Sequence, residues 1–413
     1  MIYKPFKNTY FLLFSSLIFM MFSCKAAKPI NSVLDFEKNF FANELKIKKT
    51  IVTGAQQTNS YVPLLINKNV AIVANQTSVI FKNETNTHIV DSLVSLNVLI
   101  KKVFSPEHGF RGTADASELV ADGIDKKTGI PIVSLYGNNK KPSQEQLQGI
   151  DLVVFDIQDV GVRFYTYIST LHYVMEACAE AGIPLLVLDR PNPNGHYIDG
   201  PTLEIEHKSF VGMHPVPLVY GMTIGEYASM INGENWLNTN QKCKLTVIPL
   251  KNYNHKSLYS LPIRPSPNLP NDVAINLYPS LGFFEGTIIN AGRGTEFQFQ
   301  RYGAPFFPEN EFSYTPQPNF GSKNPKHEGK ICYGVDLKNT KKFSKVTIEY
   351  ILDAYKKTPS SESFFGSTFT IHAGNLFLEQ QIKEGLTSKE IHDSWQPQIN
   401  SFKKIREKYL LYK

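Results

Sequence analysis

Short, almost continuous apolar runs recur through the first half of the chain. Because they do not alternate with polar residues, they are typical of strands that are buried on both faces of a sheet. The runs are Val70–Ala74, Val98–Phe104, Ile132–Leu135, Leu152–Ile157 and Leu185–Leu188. Between two of them, apolar side chains recur at helical spacing over Ser169–Ala181, a segment that stops at Gly182. This alternation predicts an α/β fold with a mostly parallel sheet and helices on both of its faces.

The turn after the first of these strands lacks the glycines of a dinucleotide-binding site. It reads Asn75-Gln76-Thr77-Ser78, where a nucleotide-binding sheet would have G-x-G-x-x-G. The sheet is therefore predicted to be Rossmann-like without a nicotinamide cofactor, and we expect no cofactor of any kind.

The amino-acid composition changes near residue 200. Proline, glycine and aromatic residues become frequent, as in 262–270, and residues 309–328 are polar enough to predict a surface loop. A chain of this length is long for a single core. We therefore predict a Rossmann-like lobe over residues 49–200 and a second α/β lobe with long loops over residues 201–413.

The first residues have the pattern of an export signal. A basic segment precedes an apolar stretch, Tyr10–Phe22, that is short for a membrane span of about 20 residues. Cys24 follows directly on a serine, which predicts a lipoprotein signal peptide over residues 1–23, acylation of Cys24 and a linker over 24–48. The alternative is an N-terminal anchor that is not cleaved. Both interpretations predict an exported protein, periplasmic or at the cell surface, that is held to the membrane.

Charge and composition narrow the partners that the chain can have. The formal net charge of +6 is spread in short clusters, which are typical of solvated faces and not of a nucleic-acid-binding patch. Aromatic residues make up 12% of the chain, which suits a sugar-binding cleft, although core packing accounts for most of them. Cys178, Cys243 and Cys332 lack the spacing of a metal site, so we expect no metal.

Polar side chains follow four of the predicted strands. The carboxyl ends of parallel strands form the edge of an open α/β sheet where ligands bind. The residues that are predicted to line a functional cleft there are Asn75, Glu107, His108, Arg111, Asp156, Asp159, Arg163, Tyr165, Tyr167, Arg190, Asn192 and Asn194.

Several long motifs, in one order along the chain, resemble a known family of enzymes. They are FSPEHGFRGTADA (104–116), DIQDVGVRFYTYISTL (156–171), LDRPNPNG (188–195), FVGMHPVPLVYGMTIGE (210–226), PSPNLP (265–270), YPSLGFFEGT (278–287) and GRGTEFQFQ (292–300). With them the chain resembles the exo-β-N-acetylmuramidases of peptidoglycan recycling, glycoside hydrolases long described as a domain of unknown function. The resemblance runs from about residue 52 to the C-terminus. It implies a cleft between a Rossmann-like lobe and a second lobe, and release of N-acetylmuramic acid from the non-reducing ends of peptidoglycan fragments.

Glu107 is the first candidate for a catalytic carboxyl. Glycoside cleavage needs an acid that protonates the leaving oxygen, and the surroundings of this acid raise its pKa. Glu107 follows a buried strand, where desolvation would have this effect, and the resemblance implies an essential glutamate here. The structural alternative is a salt bridge with Arg111. His108 is expected to orient Glu107, to contact sugar hydroxyls or to satisfy backbone groups.

The identity of a second catalytic group stays open. Asp156 and Asp159 are the alternatives at the sheet edge, and Glu285 is a further acidic candidate in the second lobe. Asp156 ends a buried strand, so its charge needs a partner, for which Arg163 is the obvious candidate. Ion pairing explains Asp156 as well as catalysis does. The substrate's own 2-acetamido group is another nucleophile to consider.

Aromatic and basic side chains are candidates for substrate binding. Tyr165 and Tyr167 would face the same side of an extended stretch, where they would either contact a pyranose ring or pack in the core. N-acetylmuramic acid carries a lactyl carboxylate, which matches the two-pronged geometry of a guanidinium. The candidates for this contact are Arg111, Arg163, Arg190 and Arg293.

Two other function classes are compatible with the same residues. A non-catalytic lipoprotein that binds cell-wall sugars would present similar side chains but would need no acid with a raised pKa. A metal-dependent hydrolase would need clustered ligands, and the sequence has no H-x-x-x-H or other ligand spacing. We therefore predict a glycosidase whose partners are muropeptides or disaccharides derived from peptidoglycan.

Overall fold

Strands and helices alternate along the chain. The computed structural model describes residues 50–82, 85–107, 109–111 and 122–412. Its strands are β1 (Val70–Ala74), β2 (Val79–Lys82), β3 (Thr85–His88), β4 (Ile100–Ser105), β5 (Gly123–Ile124), β6 (Pro131–Ser134), β7 (Leu152–Asp156), β8 (Leu185–Leu188), β9 (Asp199–Thr202), β10 (Pro217–Val219), β11 (Leu245–Ile248), β12 (Arg301–Ala304), β13 (Ser313–Tyr314) and β14 (Cys332–Asp336). Its helices are α1 (Thr58–Leu65), α2 (Ile89–Ser95), α3 (Gln144–Leu147), α4 (Tyr167–Ala181), α5 (Ile224–Gly233), α6 (Asp272–Leu281), α7 (Glu349–Lys357), α8 (Phe369–Ala373), α9 (Phe377–Lys383) and α10 (Ser388–Glu407), with 3₁₀ segments at Ile205–His207 and Gly282–Gly286.

One large sheet positions the edge where the polar residues gather. Its seven strands have the order β11-β8-β7-β1-β4-β6-β5, and all neighbours except β5 and β6 are parallel. The chain runs from β1 outward to β4 and β6 and then returns to the other side of β1 at β7. Open α/β sheets bind ligands at such a switch point, beyond the carboxyl ends of the strands. The predicted α/β fold with a mostly parallel sheet is confirmed.

The two central strands, β1 and β7, are buried on both faces, as their continuous apolar runs indicate. Every residue of both strands is buried. Val73 and Phe155 belong to one hydrophobic cluster, whereas Ile72 and Val154 belong to a second. Burial on both faces leaves no solvent-facing position for polar residues, which is why the runs do not alternate.

Helix α4 starts earlier than the sequence pattern predicted. It begins at Tyr167 and ends before Gly182, whose φ of 67° is the left-handed conformation that favours glycine. Tyr165 lies in the bend before the helix, so the expectation of one extended stretch carrying both tyrosines is wrong. The rings of Tyr165 and Tyr167 nonetheless meet edge to face, with centroids 4.8 Å apart.

Smaller sheets accompany the large one. Strands β12, β14 and β13 form an antiparallel sheet, and β9 with β10 and β2 with β3 form pairs. The large sheet takes an edge strand, β11, from residues beyond 200, where the first lobe was predicted to end. Residues from Ile51 onward form a single compact unit.

A buried ion pair joins the ends of two neighbouring strands. Asp156 ends β7 and Arg190 follows β8, and the guanidinium contacts both carboxylate oxygens, at 2.6 and 2.9 Å. The expectation that Arg163 would be the partner of Asp156 is wrong, because main-chain carbonyls surround the Arg163 guanidinium instead. Its hydrogen bonds go to the carbonyls of Pro201, Val216, His372 and Ala373.

The predictions about export concern residues outside the described ranges. The signal peptide (1–23), the acylation site Cys24 and the linker (24–48) all lie there. Among the helices that the structure describes, none is both long and apolar enough to cross a membrane.

Arg190→Met is expected to lower the free energy of unfolding by about 3–5 kcal/mol, because it leaves the Asp156 carboxylate buried without its partner. Guanidinium-induced unfolding followed by circular dichroism measures the change. Lys389→Met is the matched control, since the exposed Lys389–Asp393 pair is worth less than about 1 kcal/mol. Equal, small losses in the two variants would contradict a structural role for the buried pair.

Candidate active site

Glu107 lies just beyond the carboxyl end of β4 and is half-buried. Its Oε1 accepts a hydrogen bond from the Tyr136 hydroxyl (3.1 Å), and its Oε2 accepts one from the Thr166 hydroxyl (2.9 Å). Tyr136 follows the neighbouring strand β6, and Thr166 directly precedes α4. Side chains from two other segments thus hold the carboxyl at the sheet edge, with part of its surface accessible.

Three tyrosines form a wall next to Glu107. The Tyr167 hydroxyl donates to the main-chain carbonyl of Glu107 (3.3 Å), and the Tyr165 hydroxyl donates to the carbonyl of Pro265 (2.6 Å). The ring of Tyr278 lies 6.2 Å from that of Tyr165 between centroids. Tyr165 and Tyr167 are buried and shape the wall, whereas Tyr278 is half-buried and is accessible to a ligand.

The hydroxyl of Tyr278 marks the place where two groups of charged residues approach each other. Its pKa is raised, chiefly by burial, and the Arg293 guanidinium acts against this shift. Three carboxylates add to it, those of Glu285, Glu107 and Asp159. Glu107 and Asp159 come from the sheet edge, whereas Glu285 and Arg293 come from a later part of the chain. Because a pKa responds to nearby charges, both parts of the chain affect the pKa of Tyr278.

Glu285 and Arg293 form a two-pronged ion pair. Arg293 Nε lies 3.0 Å from Glu285 Oε1, and Nη2 lies 2.8 Å from Oε2. About a quarter of each side chain is exposed, 25% for Glu285 and 23% for Arg293. Burial favours a higher pKa for Glu285, but the charges of Arg293 and Lys326 outweigh it and hold the pKa below its ordinary value. Glu285 therefore stays ionised at neutral pH.

The loop that carries Arg293 makes a tight turn at two glycines. Gly292 and Gly294 both have a φ of 78°. A Cβ atom on Gly294 would lie only 2.7 Å from the side chain of Pro325, so a larger residue would displace the loop. The Arg293 guanidinium lies over the Phe299 ring, 5.4 Å from its centroid. The loop thus holds the guanidinium against Glu285.

Asp159 is a buried carboxyl behind the tyrosine wall. Its Oδ2 accepts hydrogen bonds from the Gly161 main-chain nitrogen (2.7 Å) and from the Tyr220 hydroxyl. Burial raises the pKa of Asp159 to about 6, although these hydrogen bonds act in the opposite direction. Only 3% of the residue is exposed. Asp159 is therefore placed to act on the site through its charge and not through direct contact with a sugar.

Several members of the predicted site are fully buried and hold loops together. Asn75 Oδ1 accepts hydrogen bonds from the main-chain nitrogen and the hydroxyl of Thr77, at 2.9 and 2.6 Å. Asn192 and Asn194 donate to main-chain carbonyls of other segments. Their burial places these asparagines beneath the surface of the cleft, together with the ion pair of Asp156 and Arg190.

The four arginines proposed for the lactyl group differ in their surroundings. Arg111 binds both oxygens of Asp125, at 2.9 and 2.7 Å, and also Asp91 at 3.2 Å. Arg163 and Arg190 are buried and are bound by the carbonyls and the carboxylate described above. The Arg293 guanidinium lies over the Phe299 ring, which packs against the ring of Tyr278.

Sequence reasoning missed four residues of this region: Tyr136, Thr166, Tyr278 and Lys326. Tyr136 follows a predicted strand and obeys the same strand-end rule as Glu107. Thr166 and Tyr278 lie inside motifs that carry the family resemblance. Lys326 lies in the polar stretch that was predicted to be a surface loop, and no pattern singled it out.

Two further predictions concern His108 and metal ions. His108 lies outside the described residues, so its role stays a prediction. Within the described ranges, no group of three or more histidine, cysteine, aspartate or glutamate residues is placed to hold a metal ion.

Comparisons with known proteins agree on one family. Residues 70–273 match the model described as exo-β-N-acetylmuramidase NamZ, N-terminal, and residues 276–412 match its C-terminal counterpart. The chain is 39% identical over 399 residues to the peptidoglycan β-N-acetylmuramidase NamZ of Bacillus subtilis (strain 168), which covers 90% of this chain and 93% of that protein.

Two solved structures of DUF1343 family proteins from Bacteroides fragilis NCTC 9343 have the same fold. One is 43% identical with a TM-score of 0.81, and the other is 28% identical with a TM-score of 0.73. Each alignment covers 88% of this chain and 99% of the other. The family models and the relative from Bacillus together span most of the sequence, and the chain belongs to the exo-β-N-acetylmuramidase NamZ family.

Proposed function

We propose that this protein is an exo-acting glycoside hydrolase that releases N-acetylmuramic acid from the non-reducing ends of peptidoglycan fragments during cell-wall turnover. One structural observation carries the proposal beyond family membership. A series of ring contacts connects the two charged groups. Tyr167 binds the Glu107 main chain and its ring meets that of Tyr165, which lies near Tyr278. The Tyr278 ring meets that of Phe299, over which the Arg293 guanidinium of the ion pair with Glu285 lies. Carboxyl groups on either side of a sugar site are what glycoside cleavage requires.

The two carboxyls have different surroundings, which assigns them different tasks. Glu107 accepts hydrogen bonds from the neutral hydroxyls of Tyr136 and Thr166. Glu285 is bound by a guanidinium and stays ionised. We therefore assign Glu107 to protonation of the leaving oxygen. Glu285, or the 2-acetamido group of the substrate, then stabilises the positive charge that develops on the sugar ring.

Arg293 supplies the recognition of an acidic sugar in this arrangement. N-acetylmuramic acid differs from N-acetylglucosamine by its lactyl group, which bears a carboxylate. A guanidinium binds a carboxylate through parallel hydrogen bonds, and Arg293 is partly exposed beside Tyr278. The predicted specificity therefore rests on charge as well as on shape.

A chromogenic β-glycoside of N-acetylmuramic acid is expected to be cleaved with a kcat/KM roughly a hundredfold higher than that of the N-acetylglucosamine glycoside. An arginine site that lacks its carboxylate partner loses several kcal/mol of binding, which corresponds to this factor or more. Initial rates of nitrophenol release give the ratio. The same rates should be obtained with a chelator present. Equal kcat/KM values on both glycosides would refute recognition of the lactyl group.

Glu107→Gln is expected to lower kcat on a natural disaccharide by about a hundred- to ten-thousandfold, because general acid catalysis contributes that much. A nitrophenol leaves with little protonation, so the loss on a nitrophenyl glycoside should be smaller. The thermal midpoint should stay within about 2 °C of the wild type, as expected for a change well below 1 kcal/mol.

Glu311→Gln, at an exposed position, is the control and should behave like the wild type on both substrates. A folded Glu107→Gln protein with near-normal turnover of the disaccharide would remove Glu107 from the mechanism. Attention would then move to Glu285 and Asp159.

We also propose that the protein is an exported lipoprotein whose mature chain begins at an acylated Cys24. The support is the basic segment and the short apolar stretch that precede this cysteine. Growth with a clickable fatty acid should label the wild-type protein and leave Cys24→Ala unlabelled. Equal labelling of the two proteins would exclude acylation at this position.

A further inference from the structure

Lys326 lies in the stretch 309–328, and its side chain reaches the 3₁₀ segment Gly282–Gly286. Its Nζ donates hydrogen bonds to the carbonyls of Thr287 (2.6 Å), Phe284 (2.7 Å) and Glu285 (3.2 Å). Three carbonyls at these distances match the three N–H donors of an ammonium group, whereas a neutral amine has two. Burial lowers the pKa of Lys326 below its ordinary value, and the charge of Glu285 acts against this shift. The side chain is half-buried, and its contacts hold the 3₁₀ segment that presents Glu285.

The charge of Lys326 is not compensated by a carboxylate of its own. Glu285 is the nearby acid, but both of its oxygens are bound by Arg293. Within the part of the chain that the structure describes, no ion pair joins Lys326 to a carboxylate. Main-chain carbonyls supply only partial charges, so the group of Glu285, Arg293 and Lys326 carries one net positive charge.

The nearby His372 does not change the net charge of this group at neutral pH. Burial is the main cause that lowers the pKa of His372, and Lys326 and Arg293 lower it further. The carbonyl of Thr368 and the carboxylate of Glu285 act in the opposite direction without restoring the ordinary value. His372 is therefore neutral at pH 7 and adds no charge to the group of Glu285, Arg293 and Lys326.

We propose that Lys326 is a positioning and charge-selecting residue, which makes the cleft favour a sugar that bears a carboxylate. It acts through Glu285 and Arg293 and not by contact with substrate. Its charge opposes that of Glu285, so a ligand at the Arg293 guanidinium meets a more positive potential than it would without Lys326. This inference rests on the proposed glycosidase function and adds the residue that sets its preference for an acidic sugar.

The test compares an anionic substrate with its neutral analogue in charge variants of Lys326. The substrates are the 4-nitrophenyl β-glycoside of N-acetylmuramic acid and the same glycoside with its lactyl carboxylate as the methyl ester. Lys326→Gln keeps N–H donors for the carbonyls and removes the charge, whereas Lys326→Arg keeps the charge. Lys342→Gln is the control for loss of a lysine charge elsewhere, because Lys342 is an exposed lysine that donates to a different carbonyl, that of Pro193.

At low ionic strength, Lys326→Gln should lower kcat/KM for the free acid on the order of tenfold and leave the ester nearly unchanged. Lys326→Arg and Lys342→Gln should keep the wild-type acid-to-ester ratio. Added salt should reduce this ratio in the wild type more than in Lys326→Gln, because screening weakens the same charge. The ratio is independent of the amount of folded enzyme, so a loss of stability lowers both rates equally.

An unchanged acid-to-ester ratio in Lys326→Gln, or an equal loss on both substrates, would reduce Lys326 to a structural cap and overturn the inference. That result would leave the proposed hydrolase intact, since the wild type would still cleave the acid. A wild-type protein that cleaves neither glycoside nor a natural disaccharide would overturn the proposed function itself, and this inference with it.

Discussion

A buried guanidinium, that of Arg163, is the interaction on which the architecture of the site depends. Arg163 is 0% exposed and donates to four main-chain carbonyls, two near residues 201 and 216 and two at residues 372 and 373. Burial lowers its pKa to about 9. Arg163 Nε has no hydrogen-bond partner among the described residues, so the four carbonyls supply the hydrogen bonds of the buried cation there. Loss of any one of them would cost about 1–3 kcal/mol or more. Three distant parts of the chain are thereby tied to the loop after β7.

That loop leads directly into the chemistry. It continues through the bend at Tyr165 to Thr166, whose hydroxyl binds the Glu107 carboxyl. A cation that fixes the loop therefore also fixes a partner of the proposed acid. Gly374 shows how tightly this region packs, because a Cβ atom there would lie 2.5 Å from the Arg163 guanidinium. Rigid support of this kind keeps a catalytic group in its productive geometry.

Burial separates the polar residues of the sheet edge into two layers. The lower layer is fully buried and contains the pair of Asp156 and Arg190, the asparagines and Asp159. The upper layer is half-buried and contains Glu107, Tyr278 and the pair of Glu285 and Arg293. Charges in the lower layer act by holding strand ends and by shaping the electrostatic field. Groups in the upper layer are the ones that a sugar can reach.

The parallel sheet and its ligand-binding edge could be predicted from the sequence, whereas several side-chain contacts at that edge could not. Continuous apolar runs identified the parallel sheet, and the strand-end rule then placed Glu107 at its edge. Nearness in sequence favoured Arg163 as the partner of Asp156, but pairing of β7 with β8 brings Arg190 to it instead. Lys326 could not have been found, since a lysine that caps carbonyls inside a cleft looks the same in sequence as a solvated one.

The central claim is that a sugar ring binds between Glu107 and Arg293, over the hydroxyl of Tyr278. The most direct measurement is a crystal structure of the Glu107→Gln variant with a disaccharide that carries N-acetylmuramic acid at its non-reducing end. We expect the side chain at position 107 to lie within about 3 Å of the glycosidic oxygen and the lactyl carboxylate to point toward Arg293. A disaccharide bound with its glycosidic oxygen out of reach of position 107, or with its lactyl group directed away from Arg293, would contradict it.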